Sequence, residues 1–234
     1  MWNGKKKAVT FSFDDGVTQD IRTIEILNKY GLKGTFNLNS AKFGSKNPYE
    51  VNGRTVERDM ISPSQVKDLY AEHEVAGHTL AHLNLTTLND ECVTWQVEED
   101  RKFLEGLCGR EVRCMAYPCG GVNNDERVAK VVRDTTKIRF ARTVISSFSF
   151  DLQENLLRFN PTISVMNNRL FELAEKFLAE KAETPKLFYI WGHTYEFDSC
   201  DGAWERFEEF CRIIAGKEDT FYGTNGEVFF GDEA

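Results

Sequence analysis

Nowhere in these 234 residues does an apolar run last long enough to cross a bilayer, and the opening MWNGKKKAVTFSFDD reaches two aspartates before any stretch resembling an export signal. No membrane span is expected, and the cytoplasm is the expected compartment. An excess of positive charge is also missing. Against 29 Lys and Arg stand 37 Asp and Glu, a net charge of −8, with no basic stripe interleaved with aromatics, so a nucleic-acid partner has little electrostatic support. The six cysteines, Cys92, Cys108, Cys114, Cys119, Cys200 and Cys211, lack metal-knuckle spacing, and the chain is too long to need staples. Reduced thiols are the expectation, with Cys108 and Cys114 near enough in sequence to permit a bridge. There is no internal repeat and no Pro/Ser/Gly-rich linker, so residues 1–234 read as a single domain with one core.

What is present alternates between strand-like and helix-like patterns. Ala8-Val9-Thr10-Phe11-Ser12-Phe13 favours a buried strand that stops at Asp14-Asp15-Gly16. Asp20 to Tyr30 places Ile21, Ile24, Leu27 and Tyr30 on one helical face before the capping Gly31, and Gly34 to Leu38 reads as the next strand. Ser40 to Arg58 has no periodicity and is expected to be a loop or insertion. Ser62-Pro63-Ser64-Gln65 carries the signature of a helix start, and Val75-Ala76-Gly77 a short strand delivering His78 and His82 into a loop. Helices are expected over 88–107, 125–134, 169–182 and 202–215. Strands are expected over 113–117, 140–144 and 186–191, with 220–222 and 227–230 as final short strands. This rhythm predicts an α/β fold built on a parallel sheet or barrel.

Three places could hold chemistry. Asp14-Asp15 supplies two carboxylates at a strand end, where one could bind a cation while the other acts as a base; a solvated turn would use the same residues. His78 and His82 lie four positions apart but lack the glutamate base of a helical zinc-protease motif. If they are ligands a carboxylate must join them, and Asp15 would complete a two-histidine, one-carboxylate set with open positions. His193 ends the apolar run Lys186 to Gly192, where it could donate a proton to a leaving group or be a satisfied structural histidine. His73, in Glu72-His73-Glu74, is expected to be solvated or to cap a helix.

Taken together, Thr10 to Gly16, His78 to His82, Tyr117-Pro118-Cys119-Gly120 and Ile190 to His193 make the chain resemble the polysaccharide deacetylase family, also called the NodB-homology domain or carbohydrate esterase family 4. The resemblance implies a distorted (β/α) barrel, commonly seven-stranded, and metal-dependent removal of acetyl groups from sugars. It makes Asp14 the base, Asp15, His78 and His82 the metal ligands, His193 the acid and the backbone N–H near Cys119 an oxyanion donor. Tyr117, Pro118 and Trp191 are the implied substrate pocket. The implied cofactor is one divalent metal, with zinc the first choice and cobalt, nickel or iron as chemical alternatives.

Two departures stand out. Family members often carry an arginine that holds the base; here Ala116 occupies the aligned place, leaving Arg113 or Arg142 to reach the cleft from elsewhere. The family's fourth motif, whose aspartate orients the catalytic histidine, has no clear match, and Asp151, Glu196 or Asp198 could take that role. The leading expectation is a metal-dependent hydrolase removing N-acetyl groups from a saccharide. An amidohydrolase acting on a small amide and a catalytically impaired carbohydrate-binding protein are the alternatives.

Overall fold

The computed structural model describes residues 1–51 and 53–231. Its central strand, β1 (Lys7–Asp15), is buried along its whole length. The strand's alternation sorts its side chains onto two faces. Val9, Phe11 and Phe13 face outward and join Ile24, Leu27, Phe207 and Phe210 in the main apolar cluster. The Phe13 ring lies 5.9 Å from Phe207, edge to face. Thr10, Ser12 and Asp14 face inward, where the sheet's concave side is polar and fully hydrogen-bonded at these positions. Thr10 Oγ1 donates to Asn225 Oδ1, and Asn37 Nδ2 donates to Ser12 Oγ at 2.9 Å.

Around β1 the chain adds α1 (Asp20–Lys29), β2 (Gly34–Leu38), β3 (Tyr49–Val51), β4 (Arg54–Val56), α2 (Val66–Leu69), β5 (Glu74–Gly77), α3 (Asp90–Cys108), β6 (Cys114–Ala116), α4 (Glu126–Thr135) and β7 (Phe140–Arg142). It continues through β8 (Ile163–Ser164), α5 (Leu170–Ala179), β9 (Lys186–His193), α6 (Ala203–Ile214), β10 (Thr220–Tyr222) and α7 (Asn225–Phe230). Seven strands run in parallel in the order β7, β6, β5, β2, β1, β9, β8, and β10 shares the β2 edge of β1. The strand-helix rhythm alone left an open sheet equally possible; the sheet curls into a half-barrel, the distorted barrel that the family resemblance implied. Its gap is bridged by residues 159–164: Phe159 exchanges hydrogen bonds with Ala141 and Thr143 of the β7 edge, and β8 pairs with β9. Because every strand of this sheet points the same way, the ends of β1, β5, β6, β7 and β9 open on one rim.

Some expectations needed correction. Residues 227–230 are not a strand: Thr224 and Glu227 form a capping box that starts α7, overriding the strand preference of Val228-Phe229-Phe230. The segment 40–58 is an insertion as expected, but it contains the antiparallel hairpin β3–β4. His73 is buried rather than solvated. Its Nδ1 accepts from the Gly34 N–H at 3.1 Å, and burial together with the charges of Lys33 and Arg110 pushes its imidazole down to about 4, so it stays neutral as an acceptor. Cys108 and Cys114 are free thiols and form no bridge. Among the described residues no helix is long and apolar enough to cross a membrane.

Candidate active site

At the rim lies a cleft of about 420 Å³ whose lining includes Asp14, Asp15, His78, His82, Tyr117, Cys119, Trp191 and His193. Asp14 and Asp15 end β1, His78 and His82 follow β5, Cys119 follows β6, and His193 ends β9 directly opposite Asp14 in the register. Gly192 lets this strand end approach its neighbour, since a Cβ there would lie 2.6 Å from Val165 Cγ1. Four of the seven described non-glycine residues with positive φ, Asp15, Thr79, His82 and Cys119, belong to this small region. Each such conformation costs on the order of 1 kcal/mol, so the surrounding structure holds the loops where relaxed chains would not stay.

Asp15, His78 and His82 offer ligand atoms that all lie within 4.8 Å of one another. His82 Nε2 stands 3.3 Å and His78 Nε2 3.8 Å from Asp15 Oδ1. His78 Nδ1 lies 2.8 Å from the Ala116 carbonyl, an acceptor only, so Nδ1 carries the proton and Nε2 presents its lone pair to the centre of the group. Asp15 Oδ1 is buried and has no hydrogen-bond partner. A buried carboxylate oxygen without a hydrogen bond beside two imidazole nitrogens is a poor arrangement for protein atoms alone and a good one for a cation. These three residues therefore fit a divalent metal. Asp100, which sequence reasoning missed, holds the loop from behind by accepting from the N–H groups of His78 and Ser40 and from Ser40 Oγ. It occupies the buried stripe of α3 with Val93, Val97 and Leu104, and a lone acid in such a stripe was its available signal. Burial raises its carboxyl to about 7.

Asp14 is answered by Arg142, which is fully buried at the end of β7. Its Nη2 bonds both Asp14 oxygens, its Nε donates to Ser12 and its Nη1 to the Thr143 carbonyl. Asn37 Nδ2 adds a bond to Asp14 Oδ1 at 2.8 Å. Burial alone would raise the Asp14 carboxyl. The guanidinium of Arg142, helped by His193, outweighs it and holds the group below its usual range. The arginine absent at 116 is thus replaced in space by Arg142, whereas Arg113 lies by Glu111 and Phe230.

Among the three acids that could orient His193, Glu196 does so: its Oε2 accepts from the His193 N–H at 3.1 Å and faces Nδ1 at 3.4 Å. Asp151 instead pairs with Lys186, and Asp198 accepts from Gln19 and Trp204. Burial would lower the His193 imidazole, but the hydrogen bond and charge of Glu196, with Asp15 and Asp14 nearby, raise it to about 9. Trp191 lines the cleft and covers Arg142, with 4.6 Å from the guanidinium carbon to the ring. Tyr117 borders the cleft, but its hydroxyl is turned away to the Leu157 carbonyl. Pro118 does not line the cleft; its carbonyl accepts from Asn123. The Cys119 N–H finds no acceptor among the described residues, while its thiol lies 3.9 Å from His82 Nδ1.

The family model for polysaccharide deacetylases matches residues 2–136. No curated protein sequence matches the chain significantly. Among solved structures, the chain resembles the Bc1960 peptidoglycan N-acetylglucosamine deacetylase at 16% identity and a TM-score of 0.62, covering 97% of this chain and 89% of that one. It resembles the Xyl-CE4 domain of a multidomain xylanase from the hindgut metagenome of Trinervitermes trinervoides at 15% identity and a TM-score of 0.59, covering 96% and 90%. A third is a mutant of BA3943, a CE4 family pseudoenzyme of Bacillus anthracis, with restored enzymatic activity, at 16% identity, a TM-score of 0.61 and coverages of 97% and 68%. At these identities the likeness is one of fold, and it agrees with the parallel strands and their shared rim. With the family match extending over more than half of the sequence, the chain belongs to the polysaccharide deacetylase family.

Proposed function

We propose that the protein is a metal-dependent deacetylase that hydrolyses the N-acetyl group of a saccharide. The observation that carries this reading is the pairing across β1 and β9: a carboxylate held ionised, Asp14, sits opposite an imidazole held protonated, His193, in the cleft that also holds Asp15, His78 and His82. Two groups whose environments push their proton affinities apart make a base and an acid.

A divalent metal held by Asp15, His78 and His82, zinc in the first instance and cobalt, nickel or iron as alternatives, would polarise the acetyl carbonyl and acidify a water. Asp14 takes the proton of the attacking water as the new C–O bond forms. The N–H of Cys119 is available to the tetrahedral oxyanion because no acceptor among the described residues engages it. His193 gives its proton to the departing nitrogen as the C–N bond breaks, releasing acetate and a free amino sugar. Arg142 keeps Asp14 charged and oriented, and Glu196 keeps His193 protonated. Trp191 forms part of the wall against which the acetyl group would lie. The impaired reading drew its motive from Ala116 and the missing fourth motif. Arg142 and Glu196 occupy those roles in space, which favours turnover.

The test is acetate release from N-acetylated saccharides by the zinc-loaded chain. Asp14→Asn is expected to lower kcat about 100-fold or more while metal content stays at one per chain. Absence of acetate from every such saccharide, with metal bound, would refute the proposal.

A pH prediction follows from Glu196. His193 donates only while protonated, so activity is expected to fall as pH rises through about 9. Glu196→Gln removes the first of the influences that raise the imidazole, and the alkaline limb should move down by about one to two pH units toward the ordinary histidine value. An alkaline limb unmoved in this variant would take His193 out of the acid role.

A further inference from the structure

Segment 40–58, which has no periodicity in its sequence, sends a cation to the cleft. Arg58 follows the β3–β4 hairpin, and its side chain is only 16% exposed. Its guanidinium carbon lies 5.1 Å from the Tyr49 ring and 5.7 Å from that of Tyr195, and all three residues line the cleft. Yet the guanidinium donates no hydrogen bond among the described residues, and its buried Nε is without an acceptor. Asp15 Oδ2 is 3.9 Å from Nη1, beyond hydrogen-bond range.

A guanidinium with five donors, largely desolvated beside two tyrosines and hydrogen-bonded to no oxygen among the described residues, is costly unless something else answers it. Asp15 is a weak answer here and a weaker one once a cation takes its carboxylate. What suits a planar fork at the wall of a saccharide cleft is a carboxylate or a phosphate oxyanion. The chain's net charge of −8 repels polyanions at long range, so this one local cation suits one charged substituent rather than a charged polymer.

We propose that Arg58 is a specificity-determining residue that binds an anionic substituent, a carboxylate or a phosphate, on the acetylated saccharide. This rests on the deacetylase reading above for the nature of the saccharide. The test is calorimetric binding to zinc-loaded Asp14→Asn protein, using three matched sugars: neutral N-acetylglucosamine, its 3-O-lactyl carboxylate derivative and its phosphate ester. At least one charged sugar is expected to bind about 10- to 100-fold more tightly than the neutral one, the range for a charge-assisted pair. Which of the two does so distinguishes the sources of charge. Adding Arg58→Met should cost at least about tenfold more affinity for that charged sugar than for the neutral one, and Arg58→Lys should restore only part. Equal affinities for all three sugars, no measurable binding of either charged sugar, or equal losses in Arg58→Met would each overturn the assignment. Acetate release by the wild-type chain reports separately on the deacetylase reading: charge-selective binding without release would sink that reading and leave Arg58 as the anion contact.

Discussion

Replacing Arg142 by methionine is expected to reduce kcat by about 10³-fold and to destabilise the chain by about 3–5 kcal/mol, the range for breaking a buried ion pair from one side. The reason lies in what Asp14 would be left with. Its carboxylate is buried, and among the described residues Asn37 alone would remain to donate to it. With the guanidinium gone, burial becomes the dominant influence, and the carboxyl moves from below its usual range to above it. The sign of the pH dependence reverses with it. In the wild type, a depressed Asp14 contributes stability that is present above its unfolded-state value and lost as pH falls through the folded one. In Arg142→Met the group should instead oppose folding increasingly as pH rises, and the acid limb of the activity profile should move upward. A second substitution separates charge from packing: Arg142→Met with Asp14→Asn removes the stranded carboxylate, so it should recover much of the stability and none of the activity. Thermal unfolding and acetate release across pH measure both effects. Wild-type turnover in Arg142→Met, with an unmoved acid limb, would remove Arg142 from the support of the base.

How far the site was legible in the sequence depends on where each residue sits. Asp14, Asp15, His78, His82 and His193 stand at or just past strand ends, and strands announce themselves through β-branched and aromatic runs, so their gathering on one rim followed from the α/β rhythm. Arg142 and Glu196 were each one of several candidates. Spacing along the chain carries neither the distance across a barrel nor the direction of a side chain, and Arg142 reaches Asp14 from the far side of the strand order. Asp100 left a trace, an acid on an apolar helical stripe, whereas Arg58 left none, because its insertion has no period from which a facing could be read. The misread tail shows two local signals in conflict. Val228-Phe229-Phe230 favours strand by composition, but Thr224 and Glu227 satisfy each other's backbone donors at a helix start, and the specific hydrogen bonds prevailed over the general propensity.

The second large effect concerns Asp15, and its sign distinguishes a metal site from an ordinary charge cluster. In the metal-free chain Asp15 Oδ1 is buried without a hydrogen-bond partner, so its carboxylate opposes folding. A bound cation turns that cost into a gain, because a ligand that binds only the folded chain stabilises it by about 4 kcal/mol at a thousandfold excess over Kd. For a domain of this size that corresponds to a rise in Tm of roughly 10 °C on adding zinc to the stripped wild type. Asp15→Asn keeps the volume and loses the charge. Its metal-free form should unfold at or above the temperature of the stripped wild type, while zinc should produce almost no further rise and acetate release should vanish. His82→Ala should likewise abolish the zinc response, but without the metal-free gain, since it removes an imidazole rather than a bare carboxylate. A chain that responds to zinc as strongly after Asp15→Asn as before would place the cation elsewhere. Asp15, His78 and His82 would then be only a buried charge cluster, and Asp14 and His193 would flank a centre with no metal to serve.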